Sequence, residues 1–275
     1  MAPSVAGGMM EGVPEGDSIY LVATQLNQAL AGHPLTVSDF RVPAHATADL
    51  RGRRVLETAP RGKHLLTRFE GGVTLHTHLR MDGRWRTFRP GERWHGGPAF
   101  QVRAVLGTEH GTAVGYRLPV VQLLRTAEEG RVVGHLGPDL LGPDWDEAEA
   151  RRRLLADPRR PVSEALLDQR TLAGIGNVYA NELPFLAGVT PWLPVGELPD
   201  PDGLLHGARQ LLDANKLRPG HVTTGDPRPG HQHWVYGRGR RSCLRCGTPI
   251  RSARHDRDRV AYWCPRCQRG PAPGA

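Results

Sequence analysis

The chain has 275 residues, of which 39% are hydrophobic, so it can form one large domain or two to three small ones, and wholesale disorder is excluded. No apolar run reaches transmembrane length, and residues 1–12 lack the charged start and apolar core of a secretory signal. We therefore expect a cytoplasmic protein whose residues 1–13 are a disordered or non-native extension.

The net charge of +8 lies almost entirely near the C-terminus. The segment from Arg228 to Arg269 contains 11 Arg, no Lys and 2 Asp, which leaves the rest of the chain close to neutral. A basic patch this concentrated is suited to binding phosphates. Aromatic residues interrupt it at Trp234, Tyr236, Tyr262 and Trp263, which argues against a solvated Arg-rich tail.

In chain order, the first predicted element is a helix. Asp17 or Ser18 can serve as its N-cap, and Gly32 ends it. Between them, apolar residues recur at helical spacing: Ile19, Val22, Ala23, Leu26 and Leu30.

The next stretch is predicted to form strands, at 35–42, 53–60, 63–69, 73–79, 84–88, 100–106 and 112–118. Glu70–Gly72 and Glu109–Gly111 read as hairpin turns. Several short strands at this spacing favour a β-sandwich or barrel.

Helical patterns follow at 146–156, 162–169, 178–186 and 204–216. The glycine-rich turn Leu172–Asn177 separates two of them. Amides at a helix start bind anions, so we predict that this turn binds a backbone phosphate.

The four cysteines form a C-x₂-C pair, 17 intervening residues and a second C-x₂-C pair: Cys243, Cys246, Cys264 and Cys267. This spacing predicts a zinc ribbon with one structural Zn²⁺. Four thiolates leave no open position for water, which argues against catalytic zinc, and a redox role is a second choice. A hairpin between the pairs would carry arginines at its tip, near Arg254 to Arg259.

Five motifs occur together in one order: Pro14–Asp17, Arg61–Lys63, His78–Gly83, Leu172–Asn177 and Arg259 with Cys264–Cys267. Together they resemble the formamidopyrimidine-DNA glycosylase/endonuclease VIII family of base-excision repair enzymes, with the closest likeness to endonuclease VIII-like actinobacterial members. The resemblance covers residues 14 to about 268.

The resemblance implies a multidomain α+β fold. An N-terminal β-sandwich catalytic domain (14–130) would carry the first helix. A helix–two-turn–helix DNA-binding domain (140–230), a zinc-ribbon finger (234–269) and a tail (270–275) would follow.

In this family, the secondary amine of an N-terminal proline attacks C1′ of a damaged nucleotide. An iminium forms, and β- and δ-elimination cleave the strand. Pro14 matches this nucleophile, and Glu15 matches the carboxylate that shuttles protons to the sugar and base. Lys63 matches a lysine that contacts phosphate or assists base departure.

The same resemblance assigns DNA contacts. Asn177 and Arg259 match phosphate-gripping residues beside the lesion. Met81 matches the wedge that fills the gap left by a flipped nucleotide, and Arg80 lies next to it. Asp82 departs from the aromatic residue found here in some endonuclease VIII members.

Each of these residues also has a purely structural interpretation. Pro14 and Glu15 can be ordinary residues at a helix start, and Asn177 can cap its helix. Met81 can be a core residue, and Lys63 a solvated strand residue.

Pro14 requires a free amine, because a preceding residue converts its nitrogen to an amide. Three explanations are open: translation that starts at Val13 followed by removal of methionine, proteolysis of an extension, or a catalytically inactive DNA-binding relative. We favour the first, because Val13 immediately precedes Pro14.

The sequence thus predicts a monomeric, nucleoid-associated DNA glycosylase and AP lyase that binds damaged DNA. Oxidised pyrimidines, formamidopyrimidines, 8-oxoguanine and abasic sites are all open as substrates, and the endonuclease VIII-like motifs favour abasic sites and oxidised pyrimidines. The first alternative is a non-catalytic zinc-ribbon DNA-binding protein, and the second is an RNA-binding or ribosome-associated zinc-ribbon protein.

Overall fold

The computed structural model describes residues 14–254 and 259–273. The predicted extension 1–13, residues 255–258 at the predicted hairpin tip and the last two residues of the predicted tail lie outside the described residues. Within the described part of the chain, no helix has both the length and the apolar character needed to cross a bilayer.

The chain divides into two compact units. The N-terminal unit comprises Pro14 and Ser18–His135 among the described residues. The C-terminal unit comprises the chain from Leu136 onward together with the short segment Glu15–Asp17.

The N-terminal unit holds one long helix and eight strands. The helix α1 spans Gly16–Leu30, so it begins two residues earlier than an N-cap at Asp17 implies. The strands are β1 (Val37–Phe40), β2 (Val55–Arg61), β3 (His64–Phe69), β4 (Val73–His78), β5 (Arg84–Phe88), β6 (Val102–Gly107), β7 (Thr112–Tyr116) and β8 (Val120–Arg125). A short helix α2 follows at Gly130–Val133, and 3₁₀ turns lie at Pro43–His45, Ala99–Gln101 and Thr126–Glu128.

The eight strands form a β-sandwich, as predicted. One antiparallel sheet has the order β1-β6-β7-β5, and the other has the order β2-β3-β4-β8. Apolar residues of both sheets, including Leu65, Leu75 and Leu106, share one core with the inward face of α1. The periodic residues of α1 are all at most 2% exposed, which confirms the predicted helix face.

Strand β8 and helix α2 are not among the predicted elements. Every residue of β8 is half-buried or exposed, so its sequence lacks the alternation that marks a strand. Its partner is β4, about fifty residues earlier, with His78 opposite Val120. This edge strand therefore depends on long-range pairing, and no local sequence pattern predicts it.

In the C-terminal unit, four helices surround a second core. They are α3 (Glu147–Leu154), α4 (Val162–Leu167), α5 (Asn177–Leu186) and α6 (Pro201–Asn215), with a 3₁₀ turn at Val195–Glu197. Helix α6 begins three residues before the predicted start. Asp200 caps it by accepting a hydrogen bond from Gly203 N at 2.8 Å, and Pro201 occupies its first position.

The zinc-ribbon segment packs on the end of α5. Strands β9 (Arg251–Arg254) and β10 (Val260–Trp263) pair antiparallel and form the predicted hairpin arms. Phe185 of α5 shares a small core with Val235, Ile250 and the buried cysteines. The ribbon is thereby part of the same unit as the helices.

Candidate active site

Glu15 is anchored on the first amides of α5. Its side chain is fully buried, and its carboxylate accepts hydrogen bonds from Gly176 N at 2.6 Å and Val178 N at 2.7 Å. The positive end of a helix dipole stabilises a negative group in this position. A Cβ on Gly176 would lie 2.6 Å from the Glu15 carboxyl carbon, so a glycine is needed here.

The prediction that this turn binds a phosphate is therefore wrong for the backbone N–H groups of Gly176 and Val178. They bind a carboxylate of the same chain instead of a DNA phosphate. The physical reason is a tertiary contact across more than 160 residues of chain, which helix-start chemistry alone does not reveal. The turn also accepts a backbone hydrogen bond, from Gly16 N to Gly174 O at 2.9 Å.

Asp17 makes a second buried contact from the same segment. Its carboxylate accepts a hydrogen bond from the Tyr179 hydroxyl at 2.5 Å and lies 2.8 Å from Nδ1 of His221. Burial, followed by the negative charge of Asp17, raises the pKa of Tyr179. Within the C-terminal unit, the segment Glu15–Asp17 is thus fixed to α5 and to the linker that follows α6.

Asn177 is the first residue of α5 and not its cap. Gly176 occupies the cap position, and it has no side chain with which to cap the helix. The side-chain nitrogen of Asn177 donates to Val260 O at 3.4 Å. The side-chain nitrogen of Asn181 donates to the same carbonyl, and its side-chain oxygen accepts a hydrogen bond from Tyr262 N. The structural alternative for Asn177, a helix cap, is therefore wrong.

Tyr236 is a site residue to which the sequence analysis gave no role of its own. Burial raises its pKa, and the nearby negative charge of Glu15 adds to this, while a hydrogen bond with Asn177 opposes it. Its phenol therefore lies beside two of the predicted site residues. The available signal was its position among the aromatic residues that interrupt the basic segment.

Arg259 is exposed and immediately precedes β10, whose first carbonyl receives the Asn177 amide. Arg259 thus adjoins the strand end that is hydrogen-bonded to Asn177 at the start of α5. The neighbouring predicted tip residues, 255–258, lie outside the described residues.

Glu182 is a second residue that sequence reasoning missed. Its fully buried carboxylate accepts hydrogen bonds from the backbone N–H groups of Trp234, Val235 and Tyr236, each at 2.8 Å, and from the Thr223 hydroxyl. A buried charge with four donors is well satisfied. This contact fixes the segment that carries Tyr236.

In the N-terminal unit, Lys63 and Arg80 lie on two neighbouring turns. Lys63 follows Gly62, whose φ is +55°, in the two-residue turn between β2 and β3. Both cations lie close enough to His78 to lower the pKa of its imidazole, after the larger effects of burial and the His76 charge. The predicted strand 63–69 begins one residue too early, so the interpretation of Lys63 as a strand residue is wrong: β3 begins at His64.

Met81 is 65% exposed, which excludes the core interpretation. It belongs to a tight turn that Gly83 N closes by donating to Leu79 O at 2.8 Å. A Cβ on Gly83 would lie 2.6 Å from that oxygen, so the turn requires glycine. An exposed apolar side chain on a rigid turn has the form expected of a wedge.

The four cysteines form a cluster that fits a tetrahedral metal site. All four Sγ atoms lie within 4.8 Å of one another, with Cys243 and Cys267 at 3.9 Å and Cys246 and Cys264 at 3.5 Å. Zinc–thiolate bonds of about 2.3 Å in a tetrahedron place the sulfurs about 3.8 Å apart. The cysteines are not disulfide-bonded, so all four thiols are available as ligands.

Comparison with known proteins gives consistent matches over almost the whole chain. Residues 13–117 match a model of the formamidopyrimidine-DNA glycosylase N-terminal domain. Residues 136–204 match a model of the formamidopyrimidine-DNA glycosylase H2TH domain.

Among similar proteins, a probable endonuclease 8 2 of Streptomyces coelicolor is 62% identical over 266 residues, covering 95% of this chain and 96% of that protein. The DNA-(apurinic or apyrimidinic site) lyase Nei2 of Mycolicibacterium smegmatis is 46% identical, covering 93% and 99% respectively. A solved complex of Lactococcus lactis Fpg with abasic-site DNA superposes with a TM-score of 0.78 at 23% identity, covering 93% of this chain and all of that one. At that identity the structural likeness concerns the fold.

Proposed function

The chain belongs to the formamidopyrimidine-DNA glycosylase/endonuclease VIII family, and we propose that it is a bifunctional DNA glycosylase and AP lyase of base-excision repair. The observation that carries this proposal is the fixed position of Glu15, directly after Pro14, on the N-terminal amides of α5. A purely structural acid could follow any residue. A proton shuttle has to lie next to the nucleophile, which here is Pro14.

In the proposed reaction, the Pro14 amine forms a bond to C1′ of the damaged nucleotide, and the glycosidic bond breaks. The base leaves with a proton, and the sugar ring opens to an iminium. An α-amine has a pKa near 8, so a useful fraction is neutral at physiological pH. The iminium then withdraws electrons and permits β- and δ-elimination of the two phosphates.

Glu15 would move the protons in these steps, to the sugar oxygen and from C2′. Its two amide hydrogen bonds fix both carboxylate oxygens and stabilise the ionised form. Tyr236 lies beside Asn177 and faces the Glu15 charge, so it would help to orient the reacting sugar-phosphate.

The other site residues are assigned to DNA. Lys63 would contact the phosphate or assist base departure, and Asn177 and Arg259 would grip the phosphates beside the lesion. Met81 would fill the gap left by the flipped nucleotide, with Arg80 beside it. The exposure of Met81 and Arg259 supports these roles.

The four cysteines would hold one structural Zn²⁺. The ion supplies folding energy to the ribbon, and four thiolates leave no position for a reacting water. The cysteines would thereby hold β10 and its neighbour Arg259 against the start of α5. We assign the protein to the nucleoid, as a monomer.

The chemistry requires Pro14 to be the N-terminal residue of the active protein. The N-terminal family match begins at residue 13, which supports a start at Val13 followed by removal of methionine. Intact-mass measurement of protein purified from its native host tests this. An active enzyme that retains residues 1–13 would exclude Pro14 as the nucleophile.

Abasic sites are the proposed first substrate. The M. smegmatis relative is named as a lyase of apurinic or apyrimidinic sites, and L. lactis Fpg was solved with abasic-site DNA and with DNA containing an oxidised pyrimidine. A panel of lesion-containing oligonucleotides would rank abasic sites, oxidised pyrimidines, formamidopyrimidines and 8-oxoguanine.

Borohydride trapping on abasic duplex DNA distinguishes the enzyme from a non-catalytic DNA-binding protein. A chain that begins at Pro14 should form a covalent adduct, and the full 275-residue chain with a blocked proline should not. A Pro14→Gly form with a free N-terminus should retain a weaker adduct, because it still offers an α-amine. Tight DNA binding without any adduct from the trimmed chain would favour the non-catalytic alternative.

A further inference from the structure

Three histidines line one face of the sheet β2-β3-β4-β8, next to the turns that carry Lys63 and Met81. His64 is opposite His78 in the strand register, and His76 lies two residues before His78 on the same face. The opposite face of these strands points into the apolar core, with Leu65 and Leu75 fully buried. The histidines are therefore a polar cluster on the other face of a rigid sheet.

The rings contact one another directly. Nδ1 of His64 lies 2.8 Å from Nε2 of His76, so one of the two nitrogens donates to the other, and the rings stack at 5.1 Å. His64 also meets His78 edge-on, with ring centroids 4.8 Å apart. A hydrogen bond between two imidazoles requires at least one neutral ring.

His78 connects this cluster to the wedge turn. Its Nδ1 accepts a hydrogen bond from Arg80 N at 2.9 Å, so a neutral His78 carries its proton on Nε2. Arg80 has a φ of +47°, in the left-handed region that non-glycine residues rarely adopt. Such a conformation is strained and persists only when its surroundings enforce it. The bond to His78 constrains the backbone at Arg80 itself, in addition to the Gly83 N to Leu79 O hydrogen bond that closes the turn carrying Met81.

We propose that His64 and His76 are positioning residues that keep His78 neutral, so that its Nδ1 fixes the left-handed turn at Arg80 and presents Met81 to DNA. The consequence for DNA rests on the proposed function of Met81 as a wedge. Protonation of His78 at Nδ1 would remove the acceptor and release the turn.

The electrostatic surroundings support this role. Burial is the largest cause that lowers the pKa of His78 to about 4, and the positive charges of His76, Lys63 and Arg80 act in the same direction. Burial also lowers the pKa of His64 to about 3, aided by the charges of His78, His76 and His135. These groups face the cluster from β4, from the two turns and from the segment after α2, and Arg61 of β2 lies opposite His64 in the strand register.

The first test uses the free full-length chain and needs no DNA. Histidine ¹⁵N spectra between pH 5.5 and 8 should identify His78 as the neutral Nε2–H form throughout, with Arg80 N–H protected from exchange. In His64→Ala, water reaches His78, and its pKa should return toward the ordinary value of about 6.5. At pH 5.5 roughly one His78 in ten would then be neutral, and protection of Arg80 N–H should fall about tenfold.

His135→Ala is the matched control. His135 is exposed, and its ring lies 6.2 Å from that of His64, so its removal should leave His78 neutral over the same pH range. If His64→Ala fails to fold, His64→Gln takes its place as the test variant, because glutamine leaves a smaller cavity than alanine. A His78 that titrates near pH 6.5 in the wild type, or that titrates identically with and without His64, would overturn the proposal.

The second test measures the wedge itself. 2-Aminopurine placed opposite a tetrahydrofuran site reports gap filling in a duplex that the enzyme cannot cleave. The His64→Ala signal should match the wild type at pH 8 and fall about tenfold at pH 5.5. A uniform loss at every pH would indicate a purely structural role and refute the proposal. If Met81→Ala leaves the signal unchanged, the wedge function of Met81 fails, while the spectra still decide the role of the histidines.

Discussion

Replacement of Glu182 by alanine tests how the ribbon linker is held against α5. The change removes the acceptor for three backbone N–H groups and one hydroxyl, all within the C-terminal unit. A buried donor that loses its partner costs about 1–3 kcal/mol, and partial entry of water reduces the sum. We therefore expect Glu182→Ala to lower the free energy of unfolding by about 3–5 kcal/mol.

Glu182→Gln provides a sharper comparison. The amide oxygen can keep the bonds from Val235 N and Tyr236 N, which both reach the same carboxylate oxygen. The amide nitrogen then faces Trp234 N, and one donor is left unpaired, at a cost of about 1–3 kcal/mol. The expected order of stability is wild type, then Glu182→Gln, then Glu182→Ala.

Urea denaturation measures the stabilities, and hydrogen exchange of residues 234–236 locates the change. The exposed Glu197→Ala is a control that should stay close to the wild type. Trapping on abasic DNA should decline in the same order as stability, because the segment positions Tyr236. A Glu182→Ala protein that loses less than about 1 kcal/mol and keeps its slow amides would refute the reasoning.

Glu15→Gln should lower the rate of adduct formation by about 100-fold or more while duplex binding persists, as single-turnover trapping and fluorescence anisotropy can measure. Chelation of the metal should unfold the ribbon and weaken DNA binding, and added zinc should restore both circular dichroism and affinity. Burial alone would raise the pKa of Glu129, but hydrogen bonds from Arg68 and Thr74 outweigh it and hold that pKa below its usual value. The stability from this carboxylate is present above the pKa of the unfolded group, about 4.3, and is lost as pH falls. The advantage of the wild type over Glu129→Gln in urea unfolding should therefore shrink from pH 6 to pH 3, and a constant difference would contradict this account.

Much of the fold was predictable because its signals are local. The face of α1, most strands of the sandwich and the hairpin of the ribbon follow from periodicity and turn residues. The edge strand β8 was missed because its residues are half-buried or exposed and its pairing is long-range. The start of α6 was missed although Asp200 and Pro201 carry a local cap signal.

The site was predictable only in part. The motifs marked Glu15 and Asn177, but the anchoring of Glu15 on α5 and the hydrogen bond of Asn177 with Tyr236 involve segments far apart in the chain. The helix-start amides were assigned to phosphate because sequence cannot identify which anion reaches them. Glu182 had no signal at all, since a single acid in a helix is usually solvated.

The sequence by itself determined most of the order of helices and strands, the four-cysteine site and the proline–glutamate start of the family motif, because each depends on neighbouring residues or on fixed spacing. Tertiary structure alone decided which groups meet. It put Asp17 against His221, 204 residues away, and assembled His64, His76 and His78 on one sheet face below the Arg80 turn. Burial and hydrogen bonding depend on these long-range contacts, so the electrostatics of the candidate site is a property of the fold.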